Sequence, residues 1–498
     1  MRRRGFLLGT AALTGCSLGP DYQRPQLDLP PAFRATSDSA AAAWPEPGWW
    51  RGFGSPELDR LIDRARGFNT DLAAAVARVI QADAQARISG APLLPSLSGT
   101  GNFNYQRTGT GLSRSRNVAV TTAQVGDLTT GNVTTSSGSG HYFDSRSYSV
   151  GLNVSYDLDF WGRNRATYQS SQAAALSSRF DQETVALTVI ASVANTYFQV
   201  LAGQDRLRVA QRNLRDAERI LGAYRARLTV GTANALDVSQ QEALVAGQRA
   251  NLPNFQNTIE QQRIALGILV GTPPERLDIA GGSLETLNLP PVSPGLPAEL
   301  LQRRPDVASA EALLIAANAN IRAARAAFFP DVTLTAQGGL SSAFLSTLTG
   351  PGTLVAQLAA ALTQPIFDNG LRQGQLDVAK GRAQELVADY ARAILQSFTD
   401  VEQALAAIRY AREQEELERQ AITVAQRSAD IAAAQLQAGT IDIITSLNTQ
   451  QTLFTDLDLL TQIRLARFQG LVNLYKALGG GWRQDDMRQD DTGQVFSR

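Results

Sequence analysis

The sequence predicts an α+β membrane protein built from two structural repeats, each chain giving four strands to a shared β-barrel and two long hairpins to a helical barrel. Three observations predict it. Four stretches of about ten residues alternate apolar and polar side chains, the pattern of a strand with one face in lipid and one in water. Two long runs, 163–229 and everything after Pro365, contain no proline. A helix over the whole of the first would span roughly 100 Å, far beyond a globular helix. Finally, one ungapped offset of 208 residues carries Gly162 onto Gly370, Gly231-Thr232 onto Gly439-Thr440 and Gly271 onto Gly479, and internal repeats of this kind define architecture.

Taken in order, residues 1–15 form an export signal. Arg2, Arg3 and Arg4 precede the apolar run Gly5–Leu13, and small residues Thr14 and Gly15 precede Cys16, the n-region, h-region and cleavage pattern of such peptides. The string L-T-G-C resembles a lipobox, which implies cleavage before Cys16 and a covalent N-acyl and S-diacylglycerol lipid on it, with no other cofactor. Ser17 then directs the lipoprotein to the outer membrane. The run R-R-x-F-L also resembles a twin-arginine signal, so either export route is open. Residues 16–50 are an extended, proline-punctuated segment. The first repeat covers 51–271, with strands at about 96–106 and 147–160 and a helical hairpin at 163–271. A proline-rich linker, 272–297, follows, since proline removes amide donors and blocks helix. The second repeat, 298–481, has strands at about 331–341 and 354–367 and a hairpin at 370–479. A polar tail, 482–498, ends the chain.

Leu386, Tyr390, Ile394, Phe398, Val401, Leu405 and Ile408 form one continuous seam on the second rod, with a step near that of eleven-residue repeats and so weak supercoiling. The helix at about 442–478 is roughly half as long. Helix 305–328 supplies the missing length if the two stack end to end. No later stretch approaches eighteen uninterrupted apolar residues, so no transmembrane helix is expected.

In the strands, Leu97, Phe103 and Tyr105 face away from Ser98, Thr100 and Asn102. Tyr148, Val150, Leu152, Val154, Tyr156, Leu158 and Phe160 oppose Ser149, Asn153, Ser155, Asp157 and Asp159. Val332, Leu334, Ala336 and Leu340 oppose Thr333, Thr335 and Gln337, and Leu354, Leu358, Leu362 and Ile366 keep phase through an alanine-rich fourth strand. Four strands cannot close a membrane barrel, and open edges are forbidden in lipid. Partner copies must close it: two chains give eight strands, three give twelve, and a duct wide enough to meet a hollow helical tube favours twelve.

Composition excludes much else. Lys+Arg and Asp+Glu both number 46, so no charge excess points to nucleic acid. Cys16 is the only cysteine, His141 the only histidine, and lysines number two. No G-x-x-x-x-G-K, H-E-x-x-H or thiol pair is present, which argues against an enzyme.

The chain resembles the TolC-like outer membrane factor family, and within it the NodT-type lipoprotein components of resistance-nodulation-division (RND) efflux systems. The resemblance rests on Leu296–Leu334, on G-P-D-Y-x-R-P (Gly19–Pro25), on D-F-W-G-R (Asp159–Arg163) and on L-V-N-L-Y-K-A-L-G-G-G-W (Leu471–Trp482). It implies a homotrimer: a 12-stranded outer-membrane β-barrel continued by a 12-helix periplasmic α-helical barrel with an equatorial belt. It further implies docking on a periplasmic adaptor (membrane fusion) protein and an inner-membrane RND transporter, which supplies the energy. The expected function is passive export of drugs and toxic compounds. The alternatives are an outlet for ABC-exporter protein secretion and a non-conducting structural lipoprotein. The gate and adaptor tip fall on the hairpin turns: Arg227, Leu228, Gly231 and Thr232 with Asp237 in the first, and Leu436, Gly439 and Thr440 with Asp442 in the second. Where relatives commonly carry an inward aspartate this chain has Asn448, so Leu436 is the expected apolar plug.

Overall fold

The computed structural model describes residues 22–25, 33–34, 44–109, 142–291 and 297–483. The signal, Cys16, His141 and the tail from 484 lie outside them. In chain order the elements are α1 (Pro56–Phe68), α2 (Thr70–Gly90), β1 (Ser96–Gly109), β2 (Tyr142–Leu158), α3 (Arg163–Thr229), α4 (Ala235–Leu269), α5 (Pro297–Leu300), α6 (Pro305–Ala326), β3 (Asp331–Ser342), β4 (Leu354–Thr363), α7 (Leu371–Ala438) and α8 (Ile443–Ala477). The repeats match closely in length: α3 and α7 have 67 and 68 residues, and α4 and α8 have 35 each. The chain divides into two compact units that cut across these repeats. One holds residues 88–167 and 322–376; the other holds the remaining described residues.

The first unit is a four-stranded antiparallel sheet in the order β1-β2-β3-β4. Its register lines up the faces expected from alternation. Leu97 pairs with Val154, Val154 with Ala336 and Ala336 with Leu358, giving one apolar row across all four strands. One residue along, Ser98, Asn153, Gln337 and Gln357 form a polar row on the opposite face. Because side chains alternate with period two, a slip of one residue would exchange these faces, so the apolar rows fix the pairing. β1 and β4 are edge strands, each with one side unpaired within the chain.

β1 and β2 extend past expectation at their shared end, to Gly109 and from Tyr142, while two strands stop short, each for a chemical reason. β4 stops at Thr363, because Pro365 has no N–H for a ladder; Ile366, expected to continue the apolar face, lies past the strand and is 96% exposed. β2 stops at Leu158 because Asp159 turns to start α3, its carboxylate accepting from Asn164 N at 3.1 Å and Arg165 N at 2.7 Å. Nearby, Trp161 stacks on Phe329 and donates to Pro330 O at 2.9 Å.

The second unit is helical. Its main core joins Phe53, Leu58 and Ile62 to Val193, Phe198 and Leu201 of α3, and to Phe468 and Val472 of α8. This explains one departure from the sequence reading: an 18-residue window of α3 reaches a mean hydropathy of 1.6, enough for a membrane span by length and composition alone, but 56% of it is buried inside the protein. A second core takes the α7 seam: Leu386, Tyr390, Ile394, Phe398 and Val401 are buried, with Leu405 and Ile408 packed beside them. Phe33, from the segment preceding the helices, fills a place against Phe398 in that core.

The short helices meet end to end through two matched joints. At the first, Asn69 caps α2 by accepting from Leu72 N at 2.9 Å and donates its Nδ2 to Leu269 O, the end of α4, at 2.8 Å. At the second, Arg304 precedes α6 and donates to Ala477 O, the end of α8, at 3.3 Å. Gly271 and Gly479 follow the joined ends at φ of 63° and 84°, a left-handed conformation that glycine accepts without penalty. With α2 and α6 of 21 and 22 residues, each stacked pair approaches the length of a long helix. The linker, expected to be extended, contains two short 3-10 turns, Pro274–Arg276 and Leu284–Thr286. It is tied down by Glu57, which accepts from Ala280 N at 2.8 Å, and by Asp205, which accepts from Leu284 N at 2.9 Å.

Candidate gate at the hairpin turns

Each long hairpin reverses through the same hydrogen-bonded turn. In the first, Gly231 N donates to Leu228 O and Thr232 N to Arg227 O, at 3.1 and 2.9 Å. In the second, Gly439 N donates to Leu436 O and Thr440 N to Gln435 O, at 3.2 and 3.0 Å. The glycines sit at φ of 72° and 73°, and such a residue satisfies the last carbonyls of a helix as the chain turns away. Thr232 and Thr440 add their hydroxyls to the same carbonyls, each at 3.1 Å.

The two aspartates have local partners. Asn234 caps α4, accepting from Asp237 N at 3.0 Å, while the Asp237 carboxylate accepts from Asn234 N at 3.4 Å, a reciprocal capping box. Asp442 caps α8 by accepting from Thr445 N at 2.7 Å. Hydrogen bonds from Thr445, side chain first and then backbone, hold its carboxyl below the usual carboxylate range. Both residues therefore fix where a helix begins, whatever else they face.

Arg227 reaches from the first turn to the second hairpin. Its guanidinium donates to Leu436 O at 3.2 Å and Gln437 O at 2.7 Å, meeting the negative end of α7. Below this contact a small core gathers Leu221 and Tyr224 of α3, Val238 and Val245 of α4 and Ile443 of α8. Leu436, expected as a plug, is half-buried against that core. The exposed apolar side chains are instead Leu236 (63%) and Ile444 (51%), with Val230 and Leu228 on the first turn. Leu236 and Ile444 are related by the 208-residue offset and stand two residues past the two caps, a correspondence the repeat carried in plain sight. Asn448 is exposed on α8.

Further along the hairpins, Glu415 of α7 is 7% exposed and holds three arginines: Arg419 at 2.6 Å, Arg467 at 2.7 Å and Arg464 at 3.3 Å. Arg464 also pairs with Glu285 of the linker. Burial works to raise the Glu415 pKa, but the Arg467 hydrogen bond and the charges of Arg419 and Arg467 outweigh it and hold the carboxyl below its ordinary range. Among the described residues no group of three or more His, Cys, Asp or Glu side chains could hold a metal.

An amphiphilic sheet with two unpaired edges, joined in one chain to paired long hairpins, defines a subunit of an outer-membrane channel. The chain belongs to the outer membrane efflux protein family, which it matches over residues 61–272 and 296–480. It is 39% identical over 487 residues to the pyoverdine export outer membrane protein OpmQ of Pseudomonas aeruginosa, covering 97% of this chain and 98% of that one. To the cation efflux system protein CusC of Escherichia coli O6:H1 it is 31% identical, over 95% of this chain and 97% of that protein. The structure of the open state of the Neisseria gonorrhoeae MtrE outer membrane channel superposes with a TM-score of 0.81 at 30% identity, over 94% of this chain and 99% of that one. The protein is thus an outer-membrane channel of the kind used in efflux pumps, with the β-barrel and helical-barrel fold of those channels.

Proposed function

We propose that three copies of this chain form the outer segment of a tripartite pump, a passive duct that docks on a periplasmic adaptor and an inner-membrane RND transporter. The observation that carries the reading is the sheet: apolar rows run across all four strands while β1 and β4 keep one unpaired edge each. Since lipid forbids open edges, β4 of one copy meets β1 of the next, and their antiparallel sense is preserved around a twelve-stranded ring. The helices support the same count. Tyr410, Leu417, Val424 and Ile431 of α7 are all exposed in the single chain and recur every seven residues, the period of a seam that packs against another helix.

The energy comes from the transporter, and the duct does no chemistry of its own. Cys16 carries the lipid anchor. Arg227 and the two turns form the closed end, with Leu236 and Ile444 as its apolar rings and Asp237, Asp442 and Asn448 beside them. The cargo is a small organic molecule. One relative is named for pyoverdine export and another for cation efflux, but the only methionines here are Met1 and Met487, which leaves no thioether cluster for a soft metal ion. Single-channel recording of the purified protein in planar bilayers, with drug and siderophore sensitivity of a deletion strain, tests the proposal. Discrete conductance and a hypersensitive strain are expected. A water-soluble monomer that never conducts would end it.

A further inference from the structure

We infer that the loop end of the sheet's apolar face binds the phosphorylated headgroup of an outer-leaflet lipid, with Arg146 and Arg107 as its cationic contacts. The inference rests on the proposed barrel, in which the apolar rows face lipid. The four strands carry five charged residues, and the register sorts them by face. Asp157 and Asp331, paired with Thr333 and Thr363, fall on the polar face. Arg107, Asp144 and Arg146 fall on the apolar face, because Arg107 pairs with Asp144 and Tyr105 with Arg146, in phase with Phe103 and Tyr148. These three are the strand charges of the loop end, where β1 leads to β2 and β3 to β4. With the helices in the periplasm, that end points outward. Arginines that served to select ions would line the water-filled lumen instead.

Leu97 and Arg107 are ten residues apart on β1, about 33 Å at roughly 3.3 Å per residue. A tilt of about 40° reduces this to roughly 25 Å, the height of the apolar band on such barrels. Arg107 thus stands at the band's outer edge, with Arg146 one same-face pair inside it. That is the level of lipid headgroups, where an arginine costs little. Arg107 has a counter-charge in Asp144 at 3.4 Å. Arg146 is exposed and has neither an ion pair nor a hydrogen bond among the described residues. Its guanidinium lies 5.7 Å from the centre of the Tyr105 ring, and a guanidinium held over an aromatic face keeps its in-plane N–H groups for a bidentate phosphate. Beside it a depression of about 460 Å³ is walled by Tyr148, Phe344 and Leu345. Phe344 and Leu345 are exposed, apolar surface for the first carbons of an acyl chain. Two arginines against one aspartate leave a net positive charge, the sign a phosphate headgroup needs.

The test is native mass spectrometry of the purified full-length protein in detergent with EDTA present. It is titrated with diphosphoryl lipid A or with the same glycolipid stripped of its phosphates, and conductance is recorded on the same preparation. The phosphorylated lipid should bind saturably and about tenfold more tightly than the stripped form. Arg146→Gln should remove most of that preference, about tenfold for one charge-assisted hydrogen bond. Asp144→Asn, which lifts a competing charge, should raise it about threefold. If Arg146→Gln fails to assemble, the direction of the Asp144→Asn change decides. Equal binding of both lipids, a preference unchanged by Arg146→Gln, or displacement of the lipid by equimolar inorganic phosphate overturns the inference while a conducting trimer leaves the barrel reading intact. A preparation that forms no trimer overturns both.

Discussion

The helix joints invite a quantitative test through their glycines. A Cβ added to Gly479 would lie 1.8 Å from Arg303 O, and one added to Gly271 would lie 2.0 Å from Phe68 O. At the hairpin turn, a Cβ on Gly231 would meet nothing within 4 Å among the described residues. All three have positive φ, so alanine costs each about 1–2 kcal/mol of conformational strain, partly offset by roughly 0.4–1 kcal/mol from a less flexible unfolded chain. At the turn nothing more is added, and Gly231→Ala should cost about 1 kcal/mol or less. At the joints the backbone must also retreat by more than 1 Å to restore an ordinary contact. Overpacking of that kind costs about 1–3 kcal/mol, and parting the helix ends gives up the Asn69 or Arg304 hydrogen bond, about 1 kcal/mol more. Gly271→Ala and Gly479→Ala should each lose roughly 3–5 kcal/mol, a large share of a typical folding free energy. Urea unfolding of the helical signal by circular dichroism reads the difference directly. If Gly479→Ala and Gly231→Ala shift the midpoint equally, the end-to-end joint is not what holds these helices.

Three further tests follow from the geometry. Glu415→Gln leaves the half-buried Arg467 without its counter-charge and Arg464 with Glu285 alone, and should cost about 2–3 kcal/mol at neutral pH. Because the Glu415 pKa is depressed on folding, the wild-type contribution is fully present above the ordinary glutamate pKa and fades as pH falls through the lowered value, whereas the variant's stability should lack this acid-side loss; parallel pH profiles would count against the ion cluster. Arg227→Ala removes two hydrogen bonds from a partly exposed cation, together about 1.4 kcal/mol after allowing for solvent, and should favour the open state about tenfold, seen as higher conductance in planar bilayers; unchanged conductance would remove Arg227 from the gate. On the sheet, Leu358→Arg should lose about 2–4 kcal/mol and most outer-membrane assembly, while Gln337→Arg on the opposite face assembles normally and alters ion selectivity. Equal tolerance of both would mean the apolar rows do not face lipid.

How much of this was legible depended on which property the chain had to encode. Strand faces were legible because a period of two is rigid: once Val150, Leu152 and Val154 set the phase, Ala336 and Leu358 had to join the same rows, even where alanines blurred β4. The end of β4 was legible too, in Pro365, but apolar Ile366 and Phe367 carried the reading past it. Which apolar side chains stand exposed at the turns was not legible, because exposure on a helix depends on which faces its neighbours cover. Leu436 went to the core shared with Tyr224 and Ile443, and Leu236 and Ile444 were left outside. The joints lay hidden for another reason. Asn69 and Arg304 are separated by 235 residues, whereas Leu269 and Ala477 are separated by 208, so the matching contacts join segments that follow different offsets.

The joints also show what the two repeats hold in common and what they do not. Where the backbone itself must turn, at Gly231 and Gly439 or Gly271 and Gly479, both copies have glycine, because no other residue takes that conformation cheaply. Where a side chain merely supplies a hydrogen bond, the copies diverge: Asn69 answers Arg304, and Asn234 answers Asp442. The divergence has a consequence at the second joint alone. Arg304 reaches past Ala477 to Asp400 of α7 at 2.9 Å, while the position 208 residues before Asp400 is Ser192, which offers no charge. The second stacked pair is therefore pinned to its long helix at the joint itself, whereas the first is tied to α3 away from the joint, α2 through Asp83 and Arg179 at 3.2 Å and α4 through Glu242 and Arg225 at 2.7 Å.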